Sequence, residues 1–201
     1  MQTPLKPISP QERIWAEQLP AKRSRQYQLS RGCLRDALSQ LSGTPPLEIP
    51  INAAPGQAPV LAKGYGYISL SHCCDALLIG WSPLQLGIDL EREDRALSTV
   101  ALVNRYFNKE EKQQLKSLKG EELRCEVLHQ WLIKEASIKW QRGNIAADLK
   151  QWRYQKDSQS SVHKMLGEKL HIMLINYDKW SMAVASNEVL TNKDSIICIS
   201  C

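Results

Sequence analysis

A chain of 201 residues, 43% hydrophobic and 23% charged, is long enough to bury a sizeable core as one domain or two small ones. Its formal net charge of +5 is too weak to mark a nucleic-acid binder by itself and suits an acidic partner, such as a phosphate-rich small molecule or an acidic protein. No apolar run reaches the length of a membrane span and the Pro-containing N-terminus lacks a signal-peptide core, so a cytoplasmic protein with no membrane and no nucleic-acid partner is expected.

Ser9-Pro-Gln-Glu12 forms a capping box with Pro at the first helical position and predicts a helix start. Pro20 interrupts that helix. A longer one is expected over residues 21–41, with Tyr27, Leu34, Leu38 and Leu41 on one side and Gly43 at its end. Lys22, Arg23, Arg25, Arg31 and Arg35 occupy its polar side. A solvated helix face accounts for most of them. The sharper reading has one or two of these arginines holding a phosphate, which the planar guanidinium fork suits.

Residues 43–63 are rich in Pro, Gly and Ala and read as loops around a short strand over 47–51. Gly64-Tyr-Gly-Tyr67 fits neither glycine-rich phosphate pattern and is read as a bend into a strand over 67–71, after which comes His72. A strand over 76–81, a turn at Ser82-Pro-Leu-Gln85 and a strand over 86–91 are expected to make a hairpin. Past the charged loop 92–95, an amphipathic helix is expected over 97–107. Asn108-Lys-Glu-Glu111 opens a short helix, and a long one follows over 121–140, ended by Gly143. Segments 151–155, 162–166, 170–176 and 180–185 read as strands, giving an α+β chain whose two halves would meet near Pro83. The six cysteines are expected to stay reduced, with Cys73-Cys74 as two small core residues. Cys198 and Cys201 have metal-ligand spacing but no second pair.

The chemistry centres on Trp131-Leu-Ile-Lys-Glu-Ala-Ser-Ile-Lys139, where a helix puts Trp131, Glu135 and Lys139 on one face. A carboxylate and an ammonium on an otherwise apolar stripe need partners. In Leu86-Gly-Ile-Asp-Leu-Glu91, a strand sends Asp89 and Glu91 out of the same face. If strand and helix meet, the three acids Asp89, Glu91 and Glu135 would hold a hard cation: Mg²⁺, or Mn²⁺, rather than zinc. Magnesium completes its shell with waters and phosphates, so a phosphate-bearing substrate is implied. Glu135 would take a proton from an incoming hydroxyl, and Lys139 would stabilise phosphate charge or keep Glu135 ionised. The blander readings are a helix pair worth about 0.2–0.5 kcal/mol, the solvent side of an edge strand, a surface lysine at Lys134 and a structural histidine at His72.

Taken in order, Ser69-Leu-Ser-His72, Gly87-Ile-Asp-Leu-Glu91, Phe107 with Glu111, and Trp131 to Lys139 resemble the 4'-phosphopantetheinyl transferase superfamily. Length and the ending Met182-Ala-Val-Ala-Ser186 resemble its larger, monomeric Sfp/AcpT-like branch. The resemblance runs from about Arg23 to Ser186. It implies an α+β fold of two similar α/β halves in pseudo-twofold arrangement with coenzyme A between them. Residues 1–84 would form the half on the 3'-phosphate side, and residues 85–201 the metal and catalytic half. The implied activity moves the phosphopantetheine arm of coenzyme A to a serine of an apo-carrier protein, releasing adenosine 3',5'-bisphosphate. By motif, Asp89, Glu91 and Glu135 would bind magnesium, Glu135 would also be the general base, and Lys139 would contact phosphate, with Lys134 its neighbour in cofactor binding. His72, Arg31 and Arg23 would reach the 3'-phosphate, and the acidic carrier protein would dock beside Phe107 to Glu111. Two positions depart from the pattern. Cys73 stands where the family has Ser, and Gly56-Gln-Ala-Pro59 stands where it has Gly-Lys-Pro, leaving Lys63 as the candidate replacement. A carrier-binding module without turnover, or a Mg²⁺-dependent phosphohydrolase, are the competing functions.

Overall fold

The computed structural model describes residues 4–191 and 195–200. The side chain of Cys198 and all of Cys201 lie outside the described residues, so the terminal cysteine pair is left aside.

Helix α1 (Pro10–Glu17) opens on the expected capping box, with the Glu12 N–H donating to Ser9 Oγ at 3.3 Å and the Ser9 N–H to the Glu12 carboxylate at 2.8 Å. Helix α2 (Ala21–Ser42) ends on Gly43 at φ 72°, a left-handed turn that glycine adopts without strain. Its buried Leu34 and Leu38 pack with Ile68, Leu77 and Ile79 from strands β3 (Tyr67–His72) and β4 (Ala76–Ser82). Between them, the strand expected over 47–51 is reduced to a two-residue ladder of β1 (Ile51–Asn52) with β2 (Val60–Leu61).

The later strands build a five-stranded antiparallel sheet in the order β5-β9-β8-β7-β6. These are β5 (Leu86–Arg92), β6 (Trp152–Gln155), β7 (Ser160–His163), β8 (Lys169–Tyr177) and β9 (Trp180–Ser186). Helices α3 (Thr99–Tyr106), α4 (Lys109–Leu115), α5 (Gly120–Gln141) and the short α6 (Ile145–Asp148) lie between β5 and β6 in sequence. Helix α5 buries Leu128, Leu132, Ile133 and Ala136 against Trp152, Leu170, Ala183 and Ala185. Among the described residues, no helix is long and apolar enough to cross a membrane.

The expected hairpin of β4 with β5 does not form. Strand β10 (Ser195–Ser200) pairs with one edge of β4 and β3 pairs with the other, so β4 has no free edge to offer. Strand β5 pairs instead with β9, from Leu86 opposite Ser186 to Arg92 opposite Trp180. The turn after Ser82 therefore carries the chain from one sheet to the next, and the last strand returns to the first sheet. Side-chain hydroxyls join the two: Ser69 Oγ accepts from the Ile88 N–H at 3.1 Å and Ser71 Oγ from the Leu90 N–H at 3.2 Å. They satisfy backbone donors on the open edge of β5.

Gly87 decides how closely α5 lies on β5. A Cβ there would fall 2.0 Å from the Ala136 carbonyl oxygen and 2.3 Å from the Trp140 nitrogen. With Gly87, Asp89 and Glu91 on one face of the strand, this close approach sets both acids against the helix that carries Glu135 and Lys139. The helix ends one residue before the expected glycine, on Arg142 at φ 57°. Gly143 lies close to the Asp148 side chain, whose carboxylate a Cβ would meet at 2.3 Å.

Candidate active site

A cavity of about 720 Å³ lies between α2 and β3 on one side and β5 and α5 on the other. Arg23, Arg31 and His72 line it from the first side, and Asp89, Glu91, Glu135 and Lys139 from the second. The first side is basic, and the second gathers the cavity's three acids together with the cations Lys139, Arg95 and Arg142.

At the acidic end, Asp89 is nearly buried, and its Oδ1 accepts from the Ser71 hydroxyl at 2.6 Å and from Lys139 Nζ at 2.7 Å. Glu91 pairs with Arg95, another residue of the cavity wall. Burial and the neighbouring Asp89 push the Glu135 carboxyl up to about 7, against the pull of Lys139 and Arg95. At the basic end His72 is exposed by area, but the protein packed around one side of its ring partly desolvates it, and this, then Lys139 with Arg23 and Arg31, holds the imidazole below its ordinary pKa, while Asp89 opposes them. Arg31 is buried, with its Nε donating to the Ala53 carbonyl at 3.4 Å and its guanidinium 4.9 Å over the Tyr27 ring. The Tyr27 hydroxyl donates to the same carbonyl at 2.8 Å.

The donor set of Asp89, Glu91 and Glu135 suits a hard divalent cation: carboxylate oxygens only, with Glu135 pushed toward protonation by burial and then by Asp89, as crowded acids without a cation are. Asp89 and Glu91 are meanwhile turned to the internal cations Lys139 and Arg95. Among the described residues, the only set of metal-ligand atoms already within 4.8 Å of one another is elsewhere, at Cys73, Cys74 and Asp75.

A family model described as the 4'-phosphopantetheinyl transferase superfamily matches residues 85–185. The chain belongs to this superfamily. Phosphopantetheinyl transferases generally work with coenzyme A, a divalent metal and a carrier protein. The matched stretch contains Asp89, Glu91, Glu135 and Lys139, whereas Arg23, Arg31 and His72 lie before it. No curated protein matches the chain.

Lys134, expected beside the cofactor in this phosphopantetheinyl transferase, is a correction. It neighbours Glu135 in sequence, but one step along a helix turns a side chain by about 100°. Its ammonium is fully buried, 2.8 Å from Glu111, and donates to the carbonyls of Leu149 and Trp152. Neither a cavity residue nor a surface lysine, it ties α5 to α4 beneath the Phe107 ring, whose centre is 5.2 Å from Nζ. Phe107 and Glu111 are themselves buried, whereas Lys109 and Glu110 between them are exposed. The carboxylate of Glu111 also closes the capping box of α4 on the Asn108 N–H at 2.9 Å.

The solvated-face reading of α2 also fails for Arg31 and Arg35. Arg35 is buried against Glu12 at 2.7 Å and donates to the carbonyls of Pro46 and Ile49. Its role is structural. Gln57 lines the cavity and Lys63, the candidate replacement for the missing lysine, does not. Cys73 is half-buried and Cys74 exposed, not a core pair. Sequence reasoning missed Ser71 and Arg95. Alternation along β3 could have flagged Ser71, which sits two residues after Ser69. No local pattern marks Arg95.

Proposed function

We propose that the chain moves the 4'-phosphopantetheine arm of coenzyme A to a serine of an acidic apo-acyl or peptidyl carrier protein. It would act as a cytoplasmic, monomeric holo-[acyl-carrier-protein] synthase and release adenosine 3',5'-bisphosphate. The observation that carries this reading is the two-ended cavity, with Arg23, Arg31 and His72 at one end and Asp89, Glu91 and Glu135 at the other. Coenzyme A has charge in a matching pattern: a 3'-phosphate for the first group and a diphosphate for the second. Residues 1–84 would thus supply the 3'-phosphate side and residues 85–201, apart from strand β10 that returns to the first sheet, the reacting side.

Arg31 and Arg23 would grip the 3'-phosphate through charge-assisted hydrogen bonds, joined by His72. Asp89, Glu91 and Glu135 would hold Mg²⁺, or Mn²⁺, which when bound neutralises charge on the diphosphate and its leaving group. The serine oxygen attacks the phosphorus carrying the pantetheine arm while the bond from that phosphorus to the bridging oxygen breaks. Glu135, at the edge of that metal site and facing the cavity, would accept the serine proton directly or through a water. Lys139, already in the cavity at 2.7 Å from Asp89, would meet the charge developing on the phosphate oxygens. A mildly basic chain attracts an acidic carrier protein, more strongly at low salt.

The test is to incubate the protein with coenzyme A, Mg²⁺ and candidate apo-carrier proteins and weigh the intact carriers. A mass gain equal to the phosphopantetheine arm is expected. Phosphate release without a carrier would instead favour a phosphohydrolase, and carrier binding without mass gain a module lacking turnover.

A further inference from the structure

The turn between β3 and β4 gathers groups that the transfer reaction does not use. Cys73, Cys74 and Asp75 place two sulfurs and a carboxylate oxygen within 4.8 Å of one another. Both thiols point at the same atom, Asp75 Oδ1, from 3.4 and 3.5 Å. Adjacent side chains in a strand diverge to opposite faces. Here the turn, closed by the Cys73 N–H on the Ala76 carbonyl at 3.0 Å, lets them converge.

The carboxylate is firmly oriented. Its Oδ2 lies 2.7 Å from Arg92 and 2.9 Å from Lys179, and its Oδ1 also accepts from the Trp180 indole N–H at 3.0 Å. Such outer partners fix a ligand's direction and tune its affinity. Access is open too, because Cys74 is exposed.

Two chemical fates compete for a vicinal thiol pair. A disulfide usually needs Cα atoms roughly 4.4–6.8 Å apart, and neighbouring residues on a trans peptide stand about 3.8 Å apart. Oxidation within the pair is therefore strained. Coordination has no such geometric obstacle, since two sulfurs and an oxygen this close fit around a tetrahedral ion with water in the remaining place.

We propose that Cys73, Cys74 and Asp75 form a binding site for a thiophilic divalent cation, zinc(II) by its ligand set, distinct from the oxygen-only site of Asp89, Glu91 and Glu135. Each thiol gives its proton to solvent as its metal–sulfur bond forms, and nothing is oxidised or reduced. The local charge stays balanced, because Arg92 and Lys179 already offset Asp75 and Asp94, and the two thiolates offset the dication. Sulfur in the donor set selects zinc-like ions over magnesium. A bound ion would also clamp the turn directly after His72, at the basic end of the cofactor cavity.

The test uses the whole chain carrying Cys198→Ser and Cys201→Ser, so that the terminal pair cannot contribute. Titration with Cd²⁺ should give a saturable ultraviolet thiolate-to-cadmium absorption band that Zn²⁺ displaces and excess Mg²⁺ does not. Adding Cys74→Ser, an exposed position with little to lose in folding, should weaken cadmium binding by at least about tenfold, as loss of a direct ligand must exceed the loss of an outer partner. Asp75→Asn, with circular dichroism confirming the fold, should also weaken it. An unchanged titration in the Cys74→Ser variant, a band absent once the terminal pair is removed, or displacement by Mg²⁺ would each overturn the proposal.

Discussion

The ammonium of Lys134 and the carboxylate of Glu111 meet at 2.8 Å with neither side chain exposed to solvent, 23 residues apart in sequence. Burial pulls the Lys134 pKa down and Glu111 holds it up, so each charge is tolerable only because of the other. Removing one partner leaves an uncompensated buried charge. Lys134→Met should therefore cost about 3–5 kcal/mol in urea unfolding. The double variant with Glu111→Gln should recover part of that loss. Equal losses in the single and double variants would show that the two charges do not depend on each other.

The pair of Asp89 with Lys139 leads to a different expectation, because both line the cavity. Asp89→Ala should abolish Mg²⁺-dependent transfer while leaving the circular dichroism spectrum native. Lys139→Ala should lower kcat by roughly 10²–10³-fold, the usual cost of one donor to developing charge. Carrier-protein affinity should barely change. Retained turnover in the first variant, or equal losses of rate and carrier affinity in the second, would remove these residues from the chemistry.

Gly87 tests how the site is assembled. Its missing Cβ would collide with backbone atoms of α5, which cannot swing aside as a side chain can. Gly87→Ala should destabilise by about 1–3 kcal/mol, as overpacking does. It should also depress transfer more than that stability loss explains, since the strand with Asp89 and the helix with Glu135 are forced apart. Calorimetry and initial rates on the same preparation separate the two effects.

The Glu135 carboxyl, raised to about 7 from an ordinary 4.5, makes both activity and stability depend on pH. Read as the proton acceptor, Glu135 must be ionised, and a bound Mg²⁺ favours that form, so at saturating Mg²⁺ kcat should fall only at a pH below the one at which the metal-free carboxyl titrates. Stability runs the other way. Between the unfolded value of 4.5 and the folded value near 7 the native chain binds more protons than the unfolded one, so this group's stabilising contribution is full below 4.5 and is lost as pH rises. Urea midpoints measured across that window should fall with pH less steeply in Glu135→Gln than in the parent. Identical slopes would contradict the raised value.

His72 and Arg31 are read as contacts of the 3'-phosphate, so replacing either should matter only when that phosphate is present. His72→Ala and Arg31→Lys should each raise the KM for coenzyme A by roughly 10–100-fold, the worth of a hydrogen bond to a charged group. The KM for 3'-dephospho-coenzyme A should hardly move. An equal rise for both substrates would return these side chains to a structural role.

Local chemistry explains why so much was readable from the residues alone. The capping boxes at Ser9 and Asn108 and the glycine after α2 act within a few residues, so those helix limits followed from them. The motif order from Ser69 to Lys139 was specific enough to point to the superfamily that the match over 85–185 supports. Asp89 and Glu91 on one strand face, and Glu135 and Lys139 on one helix face, follow from the two backbone periods. That both faces would line one cavity does not. It depends on Gly87 admitting α5 to β5, a contact across 49 or more residues. The partner of β4, the burial of Lys134 and the inward turn of Arg31 and Arg35 were likewise settled only by packing. A backbone period says which side chains share a side, whereas competition for edges and for dry space among distant segments says what that side meets.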